Sequence, residues 1–160
     1  MKKILNIFDI VTDFLGNALF VAMALILILQ VFARFVIRVS IPWTEELGRL
    51  LFMYVVFVGA GIAAKKGSHL VIDTLSSKLP AKAQKPYKVF LLLCTLACTA
   101  VFLIGSIQMV SATTNRYFSS MRTLPTAWMY AAPAIGFALM LLYFLLELGA
   151  LLTGKDKEAE

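Results

Sequence analysis

The twenty residues FLGNALFVAMALILILQVFA, Phe14 to Ala33, carry no charged side chain. A helix of that length rises about 30 Å, the thickness of a bilayer's hydrocarbon core. The stretch therefore reads as a membrane span, and that reading sets the fold class. It is too long for the roughly 7–15-residue apolar core of a signal peptide. No small-residue cleavage site follows it; Arg34-Phe35-Val36-Ile37-Arg38 does. An uncleaved first span is expected over residues 14–35. Asp9 and Asp13 precede it and suit the positive end of a helix dipole. Asn17 and Gln30 are its main polar interruptions, and each can hydrogen-bond to a neighbouring helix.

The whole chain fits this class. Its 160 residues are 61% hydrophobic and 15% charged, against about 45–50% and about 25% in soluble domains. Three more spans are expected, over residues 47–64, 89–110 and 127–146. The charge-free part of the second, Leu50–Ala64, is short for a crossing. Its helix must therefore carry Arg49, and with it Glu45 and Glu46, to one interface. Gly59-Ala60-Gly61 gives that span a smooth patch for close helix approach. Pro133 lies in the first turns of the fourth span, where a proline is tolerated with a kink.

Between spans two and three, Lys65-Lys66-Gly67 ends one helix and Ser68 can cap the next. Over residues 68–79, Val71, Ile72, Leu75 and Leu79 share one helical face while His69, Asp73 and Ser77 share another. This pattern predicts a short amphipathic helix in the interface, stopped by Pro80. Residues 153–160 form a polar tail. The expectation is an all-α membrane protein of one domain, residues 1–160, with four transmembrane helices and a short interfacial helix.

The basic residues orient it. Of the 15 lysines and arginines, every lysine (2, 3, 65, 66, 78, 82, 85, 88, 155 and 157) falls on one side of a four-span chain. Arg34, Arg38, Arg49, Arg116 and Arg122 all fall on the other. The excess of positive charge places both termini in the cytoplasm. The net charge of +6 does not indicate nucleic acid, because no basic stripe interleaved with aromatics occurs on a soluble face. Cys94 and Cys98 share one helix face inside an apolar run, which argues against a disulfide framework or a thiolate zinc site.

Several residues are candidates for function. In Ile41-Pro42-Trp43-Thr44-Glu45-Glu46-Leu47-Gly48-Arg49, three ionisable groups border a hydrophobic run. Pro42 or Thr44 can open a helix there, and Trp43 has the character of an interfacial anchor. Glu45 and Arg49, four apart with the acid first, suit a helical ion pair. The cluster is either a local ion pair closing a helix end or a docking surface for a partner membrane subunit. One arginine leaves one carboxylate over, so Glu46 needs Arg34, Arg38 or a partner. His69 and Asp73 read as an interfacial polar pair; two ligands are too few for a metal site. Glu147 is either a proton-carrying carboxylate or a group that snorkels to the interface. Arg116 and Arg122 bracket Tyr117-Phe118-Ser119-Ser120-Met121 and suit lipid phosphate or an acidic soluble partner. No nucleophile–histidine–acid set, Gly-rich phosphate loop or HExxH occurs, so an enzyme is not expected. That leaves an accessory or scaffold subunit, with an autonomous small transporter using Glu147 and a membrane redox or enzyme anchor as alternatives.

In length and span number the chain resembles the small membrane subunit (DctQ-type) of tripartite ATP-independent periplasmic (TRAP) transporters. The sharpest match is Trp43-Thr44-Glu45-Glu46-Leu47-Gly48-Arg49, similar to the family's W-x-E-E-x-x-R pattern. Gly67-Ser68-His69-Leu70-Val71-Ile72-Asp73 and Leu124-Pro125-Thr126-Ala127-Trp128-Met129-Tyr130, with Pro133 beyond, follow in the family's order. The resemblance implies a bacterial or archaeal inner-membrane uptake system. In it a periplasmic substrate-binding protein delivers an organic acid, a C4-dicarboxylate, a sialic acid or a similar carboxylate. A large membrane subunit carries the substrate and sodium sites, and this chain holds no cofactor. As the chain ends at Glu160, it is expected to be separate from that subunit. Its partners would be the large subunit, membrane lipids and the binding protein. The resemblance gives Trp43, Glu45, Glu46 and Arg49 structural and subunit-interface work. His69 and Asp73 would organise the inner loop, and Arg116 and Arg122 would contact the binding protein.

Overall fold

The structure, a computed structural model, describes residues 2–76 and 81–153. Four helices account for nearly all of them: α1 (Lys2–Phe32), α2 (Pro42–Ser76), α3 (Ala81–Thr113) and α4 (Ala127–Thr153). Four stretches are long and apolar enough to cross a bilayer: Ile10–Ile37, which runs from α1 through the turn of helix that follows it, Pro42–Ala64 in α2, Pro86–Thr113 in α3 and Ala127–Gly149 in α4. The four expected spans lie within these stretches. Among the described residues no strand forms, only an isolated bridge between Tyr117 and Pro125.

The turn from α1 to α2 is tight. The last turn of the first helix widens to a π-helix over Ala33–Ile37. Arg38 then takes a left-handed conformation at φ 59° and donates its N–H to the Ala33 carbonyl. The Val39 N–H reaches the same oxygen at 3.0 Å. One of the carbonyls that a helix end leaves open, that of Ala33, is thereby satisfied. Pro42 opens α2, where its missing N–H has no helical partner to lose. Thr44 is fully buried (0% exposed). Its hydroxyl donates to the Ile41 carbonyl at 2.7 Å.

One expectation needs correction. α2 does not end at Lys65-Lys66-Gly67; it continues unbroken to Ser76. The separate helix expected over 68–79 is, as far as Ser76, the continuation of α2. A single glycine inside a helix costs only about 1 kcal/mol relative to alanine, and no proline occurs between Pro42 and Pro80. Residues 77–79 and the tail from Gly154 onward lie outside the described residues, as do the side chains of His69 and Asp73.

The helices stand in a row, α1–α2–α4–α3, rather than in a closed bundle. Among the described residues α1 packs on α2 alone, α2 on α4, and α4 on α3, while α2 and α3 barely meet. Small residues set the spacing. A Cβ placed on Gly16 would lie 2.8 Å from the Ile62 side chain. At the α2–α4 seam the backbones themselves approach. A Cβ on Gly136 would lie 2.5 Å from the Phe57 carbonyl oxygen, and one on Gly61 would lie 3.0 Å from Leu139 Cβ. The expected close approach at Gly59-Ala60-Gly61 is made by Gly61; Gly59 has nothing within 4 Å. Phe137 then ties three helices together. Its ring meets Phe57 edge-on at 5.4 Å and stacks on Phe102 at 5.4 Å. In lipid, where apolar burial drives little association, such packing carries the fold.

Candidate subunit-organising site

The end of the molecule holding the α1–α2 turn and the α3–α4 loop is built around the latter, residues 114–126. The loop is ordered by its own backbone. The Arg116 carbonyl accepts from the Thr126 N–H at 2.7 Å and from the Thr126 hydroxyl at 2.9 Å. The Phe118 N–H donates to the Leu124 carbonyl at 3.2 Å, and the Leu124 N–H to the Met121 carbonyl at 3.0 Å. Phe118 is buried while Tyr117 and Ser119 on either side are exposed, the alternation of a short extended strand. Further along α4's start, the Trp128 carbonyl accepts from the Tyr54 hydroxyl of α2 at 3.0 Å.

Glu46 closes the site. Its half-buried carboxylate accepts the Ser120 N–H on both oxygens, at 3.1 and 3.0 Å, and the Met121 N–H at 3.2 Å. Two successive backbone N–H groups form a small anion-binding concavity. A charged acceptor strengthens each bond. Glu46 also lies near the positive end of α2, where negative charge is favoured. It thus clasps the tip of the α3–α4 loop to the start of α2, across 74 residues of sequence. The partner sequence reasoning sought for it was another charge; the structure supplies backbone.

The other members of the cluster are arranged differently from expectation. Glu45 and Arg49 are both exposed, and among the described residues no ion pair joins them. An exposed pair gives little energy and costs the freedom of two long side chains. Trp43 is also exposed, as an interfacial anchor requires. Arg34, Arg38, Arg49, Arg116 and Arg122 are all exposed. Each lies on, or close to, the α1–α2 turn or the α3–α4 loop. Glu147, far along α4, is half-buried and has an interaction of its own. Cys94 and Cys98 are exposed free thiols on α3.

Sequence reasoning missed Ser120, Met121, Gly136 and Phe137. The run of turn-forming residues from Thr113 to Pro125 signals a loop, but backbone donors have no residue-type signature. Gly136 stands three residues after Pro133, close enough to mark an irregular helix face but not which neighbour it meets.

Residues 23–154 match the family described as tripartite ATP-independent periplasmic transporters, DctQ component. The chain belongs to the DctQ family. The matched region takes in the Glu46 clasp, the α3–α4 loop and the α2–α4 seam. Over 145 residues the chain is 31% identical to the sialic acid TRAP transporter permease protein SiaT of Haemophilus influenzae, covering 90% of this chain and 23% of that one. It is 30% identical to the sialic acid TRAP transporter small permease protein SiaQ of Vibrio cholerae, covering 85% and 79%. To the C4-dicarboxylate TRAP transporter small permease protein DctQ of the same organism it is 28% identical, covering 92% and 73%. The chain thus spans less than a quarter of the Haemophilus permease and most of the two Vibrio proteins. As a DctQ-family small permease it is a multi-pass inner-membrane protein and a non-catalytic component of a transporter. Membership implies association with a large permease subunit.

Proposed function

We propose that this chain is the fixed scaffold of a TRAP transporter that takes up an organic acid, a C4-dicarboxylate or a sialic acid. The substrate class is supported by two kinds of relative, small permeases of sialic acid and of C4-dicarboxylate transporters. The substrate and sodium sites belong to the large subunit, and this chain holds no cofactor. Both termini face the cytoplasm, by the segregation of lysines from arginines. The Glu46 clasp and the α3–α4 loop then face the periplasm, where Arg116 and Arg122 meet the binding protein. His69 and Asp73 organise the opposite, cytoplasmic end.

The observation that carries the reading is the row of helices. A row buries little of each span within the chain and leaves broad apolar faces. Such a shape suits an element that lies along another membrane protein and widens its grip on the bilayer. The test is reconstitution in proteoliposomes of this chain, its large subunit and the binding protein, separately and together. Sodium-driven uptake is expected only from the full set. Uptake by this chain alone would refute the scaffold role and favour an autonomous transporter built on Glu147. Bound metal or a chromophore in the purified chain would favour a redox anchor.

A further inference from the structure

α1 is the edge of the row, and its free face is unusual. Gly16, Gln30 and Ala33 lie on the side of α1 toward α2 or are buried. On the opposite side, Phe14, Asn17, Ala18, Val21, Ala22 and Leu25 line a shallow groove. Further along α1, Ile28, Val31, Phe32, Phe35 and Val36 line a second groove, with Leu27 at its edge toward Gly48 of α2. From residue 14 to residue 36 the two extend about 33 Å along the helix, enough to cross the hydrocarbon core. Among the described residues α1 packs on nothing but α2.

Asn17 decides what covers this face. Its side chain is exposed in the groove and makes no hydrogen bond with the described residues. It sits three residues inside the charge-free stretch that begins at Phe14, about 5 Å along the axis. A lipid tail offers an amide no partner; a second helix does, through backbone carbonyls or polar side chains. Ala18 and Ala22, one turn apart beside Asn17, let such a helix come close.

We propose that this groove on α1 docks a transmembrane helix of the large permease subunit, with Asn17 hydrogen-bonding across the contact. The proposal rests on the scaffold reading and names the surface through which that scaffold is attached. The occupant is the permease because the segment matching this chain in the Haemophilus protein is under a quarter of a longer permease chain.

The test purifies a tagged chain, co-expressed with the large subunit, in mild detergent. Ala18→Leu with Ala22→Leu fills the groove and is expected to lower the recovered large subunit about tenfold. Asn17→Leu is expected to lower it several-fold, and Gly105→Leu, at an open position on α3, to leave it unchanged. Wild-type recovery with the filled groove would overturn the proposal while leaving the scaffold reading intact. Failure of the wild-type chain to recover any large subunit would overturn both. A photocrosslinking residue at Val21 in native membranes gives a readout without filling the groove. An adduct with the large subunit is expected, and adducts only with lipid or a second copy of this chain would overturn the proposal.

Discussion

Replacing Glu46 by alanine should release the tip of the α3–α4 loop and leave the helices standing. The carboxylate satisfies two backbone donors, the Ser120 and Met121 N–H groups, through three contacts of 3.0 to 3.2 Å. A hydrogen bond to a charged acceptor is worth up to about 3 kcal/mol. Ser120 is exposed and Glu46 only half-buried, so water recovers much of the loss when the clasp opens. About 1 kcal/mol per donor is the appropriate scale, or roughly 2 kcal/mol in total. That corresponds to about a 30-fold rise in the population with the clasp open. Hydrogen–deuterium exchange on the purified chain in lipid nanodiscs reads this directly. Exchange at Ser120 and Met121 should accelerate by about that factor in Glu46→Ala. Glu46→Gln, which keeps one carbonyl oxygen but turns an NH2 group toward donors, should fall between. Amides near Phe57 and Gly136 should exchange at the wild-type rate. Equal exchange at Ser120 and Met121 in wild type and Glu46→Ala, within about twofold, would refute the clasp.

Three further outcomes are expected. Gly136→Ala forces a Cβ to 2.5 Å from the Phe57 carbonyl oxygen, whereas Gly59→Ala meets nothing within 4 Å. Overpacking against backbone should cost about 2–3 kcal/mol and lower the melting temperature by roughly 5–10 °C in the first case only. Glu45→Gln and Arg49→Ala should leave the melting of the isolated chain unchanged, because no ion pair joins them; Arg49→Ala should reduce co-purification with the large subunit, and normal assembly would remove Arg49 from that role. Reversing Arg116 and Arg122 to glutamate should raise the binding-protein concentration needed for half-maximal uptake, and an unchanged titration would assign both arginines to lipid.

The spans were legible because each is a long run without charge, and no competing structure satisfies an exposed backbone in hydrocarbon. Their ends were less so. Gly67 reads as a terminator, yet one glycine is a small penalty against a helix already committed on both sides. The i, i+4 rule proposes Glu45–Arg49, but the rule speaks of isolated helices, and at an exposed end its few tenths of a kcal/mol do not hold two long side chains together. Glu46 illustrates the deeper limit. Its need for a partner could be read from the excess of carboxylates over arginines in its segment. The partner could not, because every residue except proline carries a backbone N–H and only the loop's folded shape aims two of them at one point. Gly61 was readable as a small residue in a small-residue patch; Gly136 was not, because sequence does not tell that its backbone meets Phe57 of α2.

A row of four helices resists bending less well than a closed bundle, because each helix can rock about its contact with the next. Cross-ties are what convert such a row into something rigid. Three of them act at one seam. Gly61 and Gly136 bring α2 and α4 into backbone contact. Phe137 joins Phe57 and Phe102, adding α3 to that pair near the middle of the α4 span. Glu46 and Tyr54 then fix the loop end, the first to the α3–α4 loop and the second to the start of α4. α2, α4 and α3 are therefore locked at two depths. Among the described residues α1 packs on α2 alone, joined to it by the short turn through Arg38. A scaffold whose edge helix has a single helical neighbour among the described residues leaves one long face open. That open face also exposes the Asn17 amide, and a helix supplied by the large subunit would cover both.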